Sequence, residues 1–190
     1  RNGRSFCTRR VVARQATGAI LNLACSFQRP EPGETIQSVT MPDVPGPDAF
    51  EGDSWSSMFE RRTVGPGAAS GLPGGWAGVW MRTPGAVGPE LAHAALAYLS
   101  DDVPTDAVLP QHPEALPTGE NHDRFMVASL DHAIWFHRGF DPAEWHLFDA
   151  TSQGFGNGRG LSVGHVFSAD GVHVATVTQE VLIRRARPAG

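Results

Sequence analysis

Phe125-Met126-Val127-Ala128-Ser129-Leu130-Asp131-His132-Ala133-Ile134-Trp135-Phe136-His137 is rich in β-branched and aromatic residues and reads as one long strand. In a strand, alternate side chains share a face. Phe125, Val127, Ala133 and Trp135 then form one apolar stripe, and Ser129 and Asp131 fall inside it. Two polar groups in a face that should be covered mark a pocket wall or a polar network, since breaks in local consistency concentrate at functional places.

Toward the C-terminus the pattern stays that of antiparallel sheet. Trp145–Ala150 reads as a strand, and a glycine-rich connection over 154–160 precedes another at Leu161–Phe167. Asp170-Gly171 is a strong hairpin turn. Val172–Ile183 is the most regular strand, and Gln179 shares its face with Ala175, Val177, Val181 and Ile183. If that face is buried, the amide needs partners or costs ~1–3 kcal/mol.

Toward the N-terminus, Pro89 and Glu90 suit a first helical turn, and Leu91–Leu99 is dense in Ala and Leu. The helix is expected to stop at Ser100-Asp101-Asp102, with Pro104 beyond and a loop to about Asp123. Acids at that end face the negative pole of the helix, at ~0.3–1 kcal/mol each, which makes Asp101 and Asp102 stand out. Short strands are expected near Met58–Val64 and Trp76–Arg82, joined by the Gly/Pro-rich 65–75. Residues 29–53 read as an irregular crossing. Residues 5–15 and Ala19–Phe27 make a hairpin around Thr17-Gly18, with Leu21, Leu23, Cys25 and Phe27 on one face. After the hairpin come two strands, a helix and four strands: an α+β layout with one helix against an antiparallel sheet.

A net charge of −5 argues against non-specific nucleic-acid binding, and no apolar run approaches the ~20 residues of a membrane span. All fifteen basic side chains are arginine. Cys7 and Cys25 lie on neighbouring strands, where a bridge would be within reach, but two small buried thiols are the simpler expectation. Gly160-Leu161-Ser162-Val163-Gly164 fits the G-x-S-x-G pattern, yet that motif needs a strand turning sharply into a helix, and here it runs into a strand and a hairpin. The glycine run 154–160 opens no helix and is no dinucleotide fingerprint, although its backbone and Arg159 could touch a phosphate. His132 and His137, five apart on one strand, fall on opposite faces, so no metal site is expected.

The stretch Ser129–Arg138 resembles the signature strand of the acyl-CoA thioesterase II family. Leu96-Ala97-Tyr98-Leu99-Ser100-Asp101 is similar to the helix of that family's second domain. Arg159-Gly160-Leu161 and Asp170-Gly171 leading to Thr178-Gln179-Glu180 match it in order, and residues 3–11 and 24–28 resemble its first-domain hairpin. The family's Gly after Gln-Glu is Val181 here, and the Pro expected after Arg138 is Gly139.

The resemblance implies a double hotdog, in which each antiparallel sheet wraps a long helix. Residues 1–28 would be the closing hairpin of an N-terminally truncated first hotdog, 29–54 a linker, and 55–190 a complete second hotdog. It implies hydrolysis of fatty acyl-CoA by a water that Asp101, Ser129 and Gln179 hold and activate, with no cofactor and no metal. Val127 and Trp135 would wall the acyl channel and Arg159 would touch substrate. It further implies a cytoplasmic homo-oligomer with acyl-CoA as its partner. The alternative is a non-catalytic hotdog remnant that binds acyl-CoA or only dimerises.

Overall fold

The computed structural model describes residues 2–69, 71–116, 121 and 123–186. The chain divides into two compact units, one running to Ile36 and the other starting at Gln37.

The first unit is a hairpin. Strand β1 (Phe6–Gln15) pairs antiparallel with β2 (Gly18–Gln28) from Phe6↔Gln28 to Gln15↔Gly18. Gly18 sits at φ +129°, which only glycine adopts without strain, so the Thr17-Gly18 turn forms where the composition placed it. Leu21, Leu23 and Phe27 stay between 44 and 54 % exposed, so this unit buries little of its apolar surface. Cys7 and Cys25 are both free, and each is partly exposed rather than buried.

The second unit is one antiparallel sheet with two helices inserted after its second strand. The strands are β3 (Glu60–Thr63), β4 (Trp76–Arg82), β5 (Phe125–Ser129), β6 (Ala133–Phe136), β7 (His146–Gly156), β8 (Arg159–Ser168) and β9 (His173–Arg185). The spatial order is β3-β4-β7-β8-β9-β5, and β6 also pairs with β9. Helix α1 (Ala92–Ser100) starts after the turn containing Pro89 and Glu90 rather than on it, and is followed by α2 (Pro104–Val108). Pro104, expected to mark the end of the helix, instead occupies the first turn of α2, where its missing N–H has no helical partner to lose. A 3-10 turn (Leu109–Gln111) follows, so the expected loop is partly helical. Residues 117–120 of that loop lie outside the described residues.

The inner face of the sheet closes on α1. Leu96 and Leu99 have no exposed surface and pack with Phe59, Val79, Met81, Phe148, Val166, Ala175 and Val177. Burying a leucine contributes ~1.5–3 kcal/mol, which a nine-residue helix needs, since helices this short are marginal alone. On the outer face Trp80, Leu147 and Phe167 form a second cluster, covered by Val39, Met41, Val44 and Phe50. Trp80 Nε1 donates to the Pro45 carbonyl at 3.0 Å. Residues from Gln37 to Phe50 are thus a strap lying on the sheet, although the only regular structure in it is a 3-10 turn (Pro47–Ala49).

The expected single strand Phe125–His137 is two strands, and this changes its faces. Ser129 opposes Val181, whereas Ala133 opposes Thr178. Leu130, Asp131 and His132 therefore stand against only Gln179 and Glu180. One residue is extra, and an extra residue reverses every side chain beyond it. Phe125, Val127 and Ser129 share the inner face with Val181 and Gln179, but past the break Ile134 continues that face, packed on the core. Asp131 closes the break: its Oδ1 accepts the Glu180 N–H at 2.9 Å, while the Leu130 N–H donates to the Glu180 carbonyl at 2.8 Å.

Candidate active site

Three elements meet where α1 ends against β9 and the break after β5. Asp101 is the C-cap residue of α1, Ser129 the last residue of β5, and Gln179 lies mid-strand in β9. Ser129 Oγ donates to Asp101 Oδ1 at 3.1 Å, and Gln179 Nε2 donates to Ser129 Oγ at 2.8 Å. The three residues expected together from the sequence form one hydrogen-bonded chain. It runs inward from solvent: the Asp101 side chain is 55 % exposed, Ser129 is exposed, and Gln179 has no exposed surface. A buried amide costs little when both its ends are used, and here they are.

The second end of the amide meets a residue given no role in advance. Gln179 Oε1 lies 2.6 Å from His132 Nδ1, and His132 Nε2 lies 2.9 Å from Ser100 Oγ. Ser100 is 1 % exposed and its Oγ is also 3.0 Å from the Ala97 carbonyl. In an unbroken strand His132 would face away from Ser129. Only the break at Leu130–His132 swings it inward, and nothing in the alternation announces that break.

Asp101 and Asp102, alike in sequence, separate in structure. Asp102 is 10 % exposed at its side chain and pairs with Arg61 Nε at 2.7 Å, while Trp55 Nε1 donates to its other oxygen at 2.7 Å. Arg61 also binds Asp53 at 2.5 Å and Asp106 at 2.6 Å. One guanidinium thus holds the C-terminal end of α1, the start of α2 and the chain before β3, and fixes the backbone that presents Asp101. Burial pushes the Asp106 carboxyl up to about 6; Arg61 opposes the rise, and Asp102 and Asp53 add to it. Its side chain keeps 46 % of its surface open to solvent, which screens the effect.

Of the expected substrate contacts, Val127 lies on the inner face, packed with Val108, Phe125, Val181 and Ile183 two residues before Ser129. Trp135 does not join it. It opposes Thr176, on the face away from Gln179, and is 53 % exposed, because the strand break reverses its side. Arg159 opposes Leu182, on that same outer face, and is paired with Glu180 at 3.1 Å. Ser162 sits mid-strand in β8, 1 % exposed, with no turn into a helix, so it has neither the exposure nor the geometry of a nucleophile elbow. Its motif neighbour Gly160 has a packing reason: a Cβ there would lie 2.1 Å from Val108 Cγ1. Among the described residues no group of three or more His, Cys, Asp or Glu side chains is arranged to hold a metal.

A family model described as the acyl-CoA thioesterase C-terminal domain matches residues 36–183. This chain belongs to the acyl-CoA thioesterase family. It is 34 % identical to acyl-CoA thioesterase 2 of Haemophilus influenzae, over 97 % of this chain and 71 % of that protein. Acyl-coenzyme A thioesterase 8 of Homo sapiens is 29 % identical over 97 % of this chain and 65 % of its own length. This thioesterase chain therefore spans about two thirds of the length of its curated relatives. Among solved structures, acyl-CoA thioesterase II TesB2 of Mycobacterium marinum superposes with a TM-score of 0.86 at 36 % identity, covering 100 % of this chain and 72 % of that one. A hot dog fold protein of Alicyclobacillus acidocaldarius gives 0.75 at 25 % identity, over 98 % of this chain and 70 % of that one. The α+β sheet wrapped on its helix is a hotdog.

Proposed function

We propose that this thioesterase hydrolyses the thioester of a fatty acyl-CoA by direct attack of water, with Asp101 as general base and Ser129 and Gln179 orienting that water. The observation carrying this is the hydrogen-bonded chain Asp101–Ser129–Gln179, which presents a carboxylate to solvent and anchors it to a buried amide. Asp101 takes a proton from water as the water oxygen bonds to the thioester carbonyl carbon. The carbonyl electrons move onto its oxygen, return as the C–S bond breaks, and the sulfur leaves as thiolate. The thiolate takes up the proton that Asp101 gained, which restores the carboxylate, and the products are a carboxylic acid and coenzyme A. A thiolate is a good leaving group, so a positioned water suffices, and positioning is what a rigid hydroxyl and amide supply. Gln179 Nε2 donates to Ser129 Oγ, and through that bond the buried amide fixes the hydroxyl that stands with Asp101 at the water. Val127, on the face of Ser129, is assigned to the acyl path.

In this reading the unit that starts at Gln37, strap included, is the hotdog that carries the site, and the hairpin within 1–28 belongs to a first hotdog; the match of 36–183 to a C-terminal domain supports that division. A homo-oligomer built by edge pairing and a cytoplasmic setting complete it. The terminal strands of the sheet offer unpaired backbone, and two free cysteines suit a reducing compartment. No helix among the described residues is long and apolar enough to cross a membrane.

The test is to mix the chain with long-chain acyl-CoA, follow free thiol with a thiol-reactive dye, and weigh the intact protein during turnover. Catalytic thiol release with no acylated protein is expected. An acylated serine, or tight acyl-CoA binding without thiol release, would replace this proposal with a covalent enzyme or a binding module.

A further inference from the structure

His132 Nδ1 lies 3.9 Å from Asp101 Oδ1, within ion-pair distance but too far for a hydrogen bond, yet the direction of the hydrogen bonds among Gln179, Ser129 and Asp101 depends on it. Ser129 has a single hydroxyl proton. It reaches Asp101 Oδ1 only if the Gln179 amide offers Ser129 an N–H rather than its oxygen. Were the amide turned over, Oε1 would face Ser129 Oγ, and one proton could not serve both Oε1 and Asp101. An amide is nearly symmetric in shape, so packing alone does not choose between the two orientations. What chooses is the group at the other end: His132 Nδ1, 2.6 Å from Gln179 Oε1. An N–H there bonds an oxygen and rejects an NH2. Ser100, 1 % exposed at the end of α1, gives its one hydroxyl proton to the Ala97 carbonyl at 3.0 Å, so its Oγ accepts from His132 Nε2 at 2.9 Å and pins the ring, which then donates through both nitrogens.

We propose that His132 is a positioning residue that fixes the polarity of the Gln179 amide, and through it the hydroxyl direction of Ser129 toward Asp101. The inference rests on the hydrolytic role assigned above to Asp101, Ser129 and Gln179. It adds that the site is read from the inside out: Ser100 orients His132, His132 orients Gln179, and Gln179 orients Ser129. Asp131, closing the strand break with the Glu180 N–H, is what lets His132 reach inward at all.

The test compares His132→Asn, His132→Gln and His132→Leu by thiol release from acyl-CoA, with thermal melts of each. An Asn amide places an N–H near the Nδ1 position, whereas a Gln amide places it near Nε2. We expect His132→Leu and His132→Gln to lose at least about tenfold in kcat at little-changed KM, with His132→Asn restoring most of it. We also expect His132→Leu to cost nothing more in a Gln179→Ala background, where no amide remains to orient. A merely structural histidine would give three variants that fall together with their melting temperatures, and full additivity with Gln179→Ala; either result overturns the inference. If His132→Leu fails to fold, the contrast between Asn and Gln decides alone. Equal kcat in those two overturns it. Wild-type turnover that survives Gln179→Ala would instead remove the underlying hydrolytic assignment, and this one with it.

Discussion

Replacing Gln179 by leucine removes both polar ends of the buried amide while keeping most of its volume. The side chain has no exposed surface, and its bonds are 2.8 Å to Ser129 Oγ and 2.6 Å from His132 Nδ1. In the variant, exposed Ser129 can pair with solvent. The His132 Nδ1–H loses its acceptor, at ~1–3 kcal/mol. The His132 side chain is 22 % exposed, which places the cost toward the lower end. Burying leucine instead of an amide offsets part of the remainder. The net effect on stability is therefore ~1 kcal/mol, or ~2–4 °C in Tm for a chain of this size. Turnover should suffer far more. Loss of one preorganised donor costs ~10²–10³ in kcat, equivalent to ~3–4 kcal/mol. Thiol release at saturating acyl-CoA, beside a circular-dichroism melt, separates the two effects. A variant that melts within a few degrees of wild type and retains kcat within about threefold would refute the assignment of Gln179.

Three further outcomes follow from the packing and the titrating groups. Asp131→Ala leaves the Glu180 N–H at the strand break without its acceptor and should lower Tm by ~2–8 °C, reading ~1–2 kcal/mol at this chain length; an unchanged melt would mean the carboxylate does not hold the break. Gly160→Ala drives a Cβ into the fully buried Val108 and should cost ~1–3 kcal/mol by urea titration, whereas a neutral result would deny the close approach of α2 to β8. His173 titrates at about 4, pushed down by burial and by His137 and His165, against 6.5 in the unfolded chain. The unfolded state therefore takes up the proton first as pH falls, so the stability from the neutral ring is complete above about 6.5 and lost toward 4. Asp106, raised to about 6, has the opposite sign, its neutral form being favoured in the fold. His173→Phe should accordingly flatten the acid-side decline of urea midpoints, and an identical pH profile would rule out His173 as its source.

How legible the fold was varies by element. The period-two stripe of β9 and the Asp170-Gly171 turn appear as the alternation demanded, because a strand buried on one face writes its partner into every second residue. Gln179 stood out for the same reason, as an amide among apolar neighbours on a face that is indeed buried. The strand break is not legible in the sequence because Leu130-Asp131-His132 is as compatible with an unbroken strand as with a bulge. What stabilises the bulge is a carboxylate on a backbone N–H from another strand, a long-range contact with no local signature. That one residue of slip put Trp135 on the wrong face and hid His132. Helix α2 is not legible either, because Pro104 stops one helix and starts another, and the local composition favours neither outcome. The strap at Gln37–Phe50 read as a linker because its order comes from docking Val39, Met41 and Val44 onto the sheet, not from any pattern of its own.

The catalytic assignment turns on whether the exposed carboxylate at the end of α1 activates the water. Asp101→Asn keeps the shape of the side chain and an oxygen for Ser129 to donate to, but removes the charge that accepts a proton. Rates of thiol release from acyl-CoA, measured on folded Asp101→Asn and wild type at saturating substrate, test this directly. A fall in kcat of ~10²–10⁴ with KM little changed is the predicted result, and full turnover by the Asn variant would contradict the account.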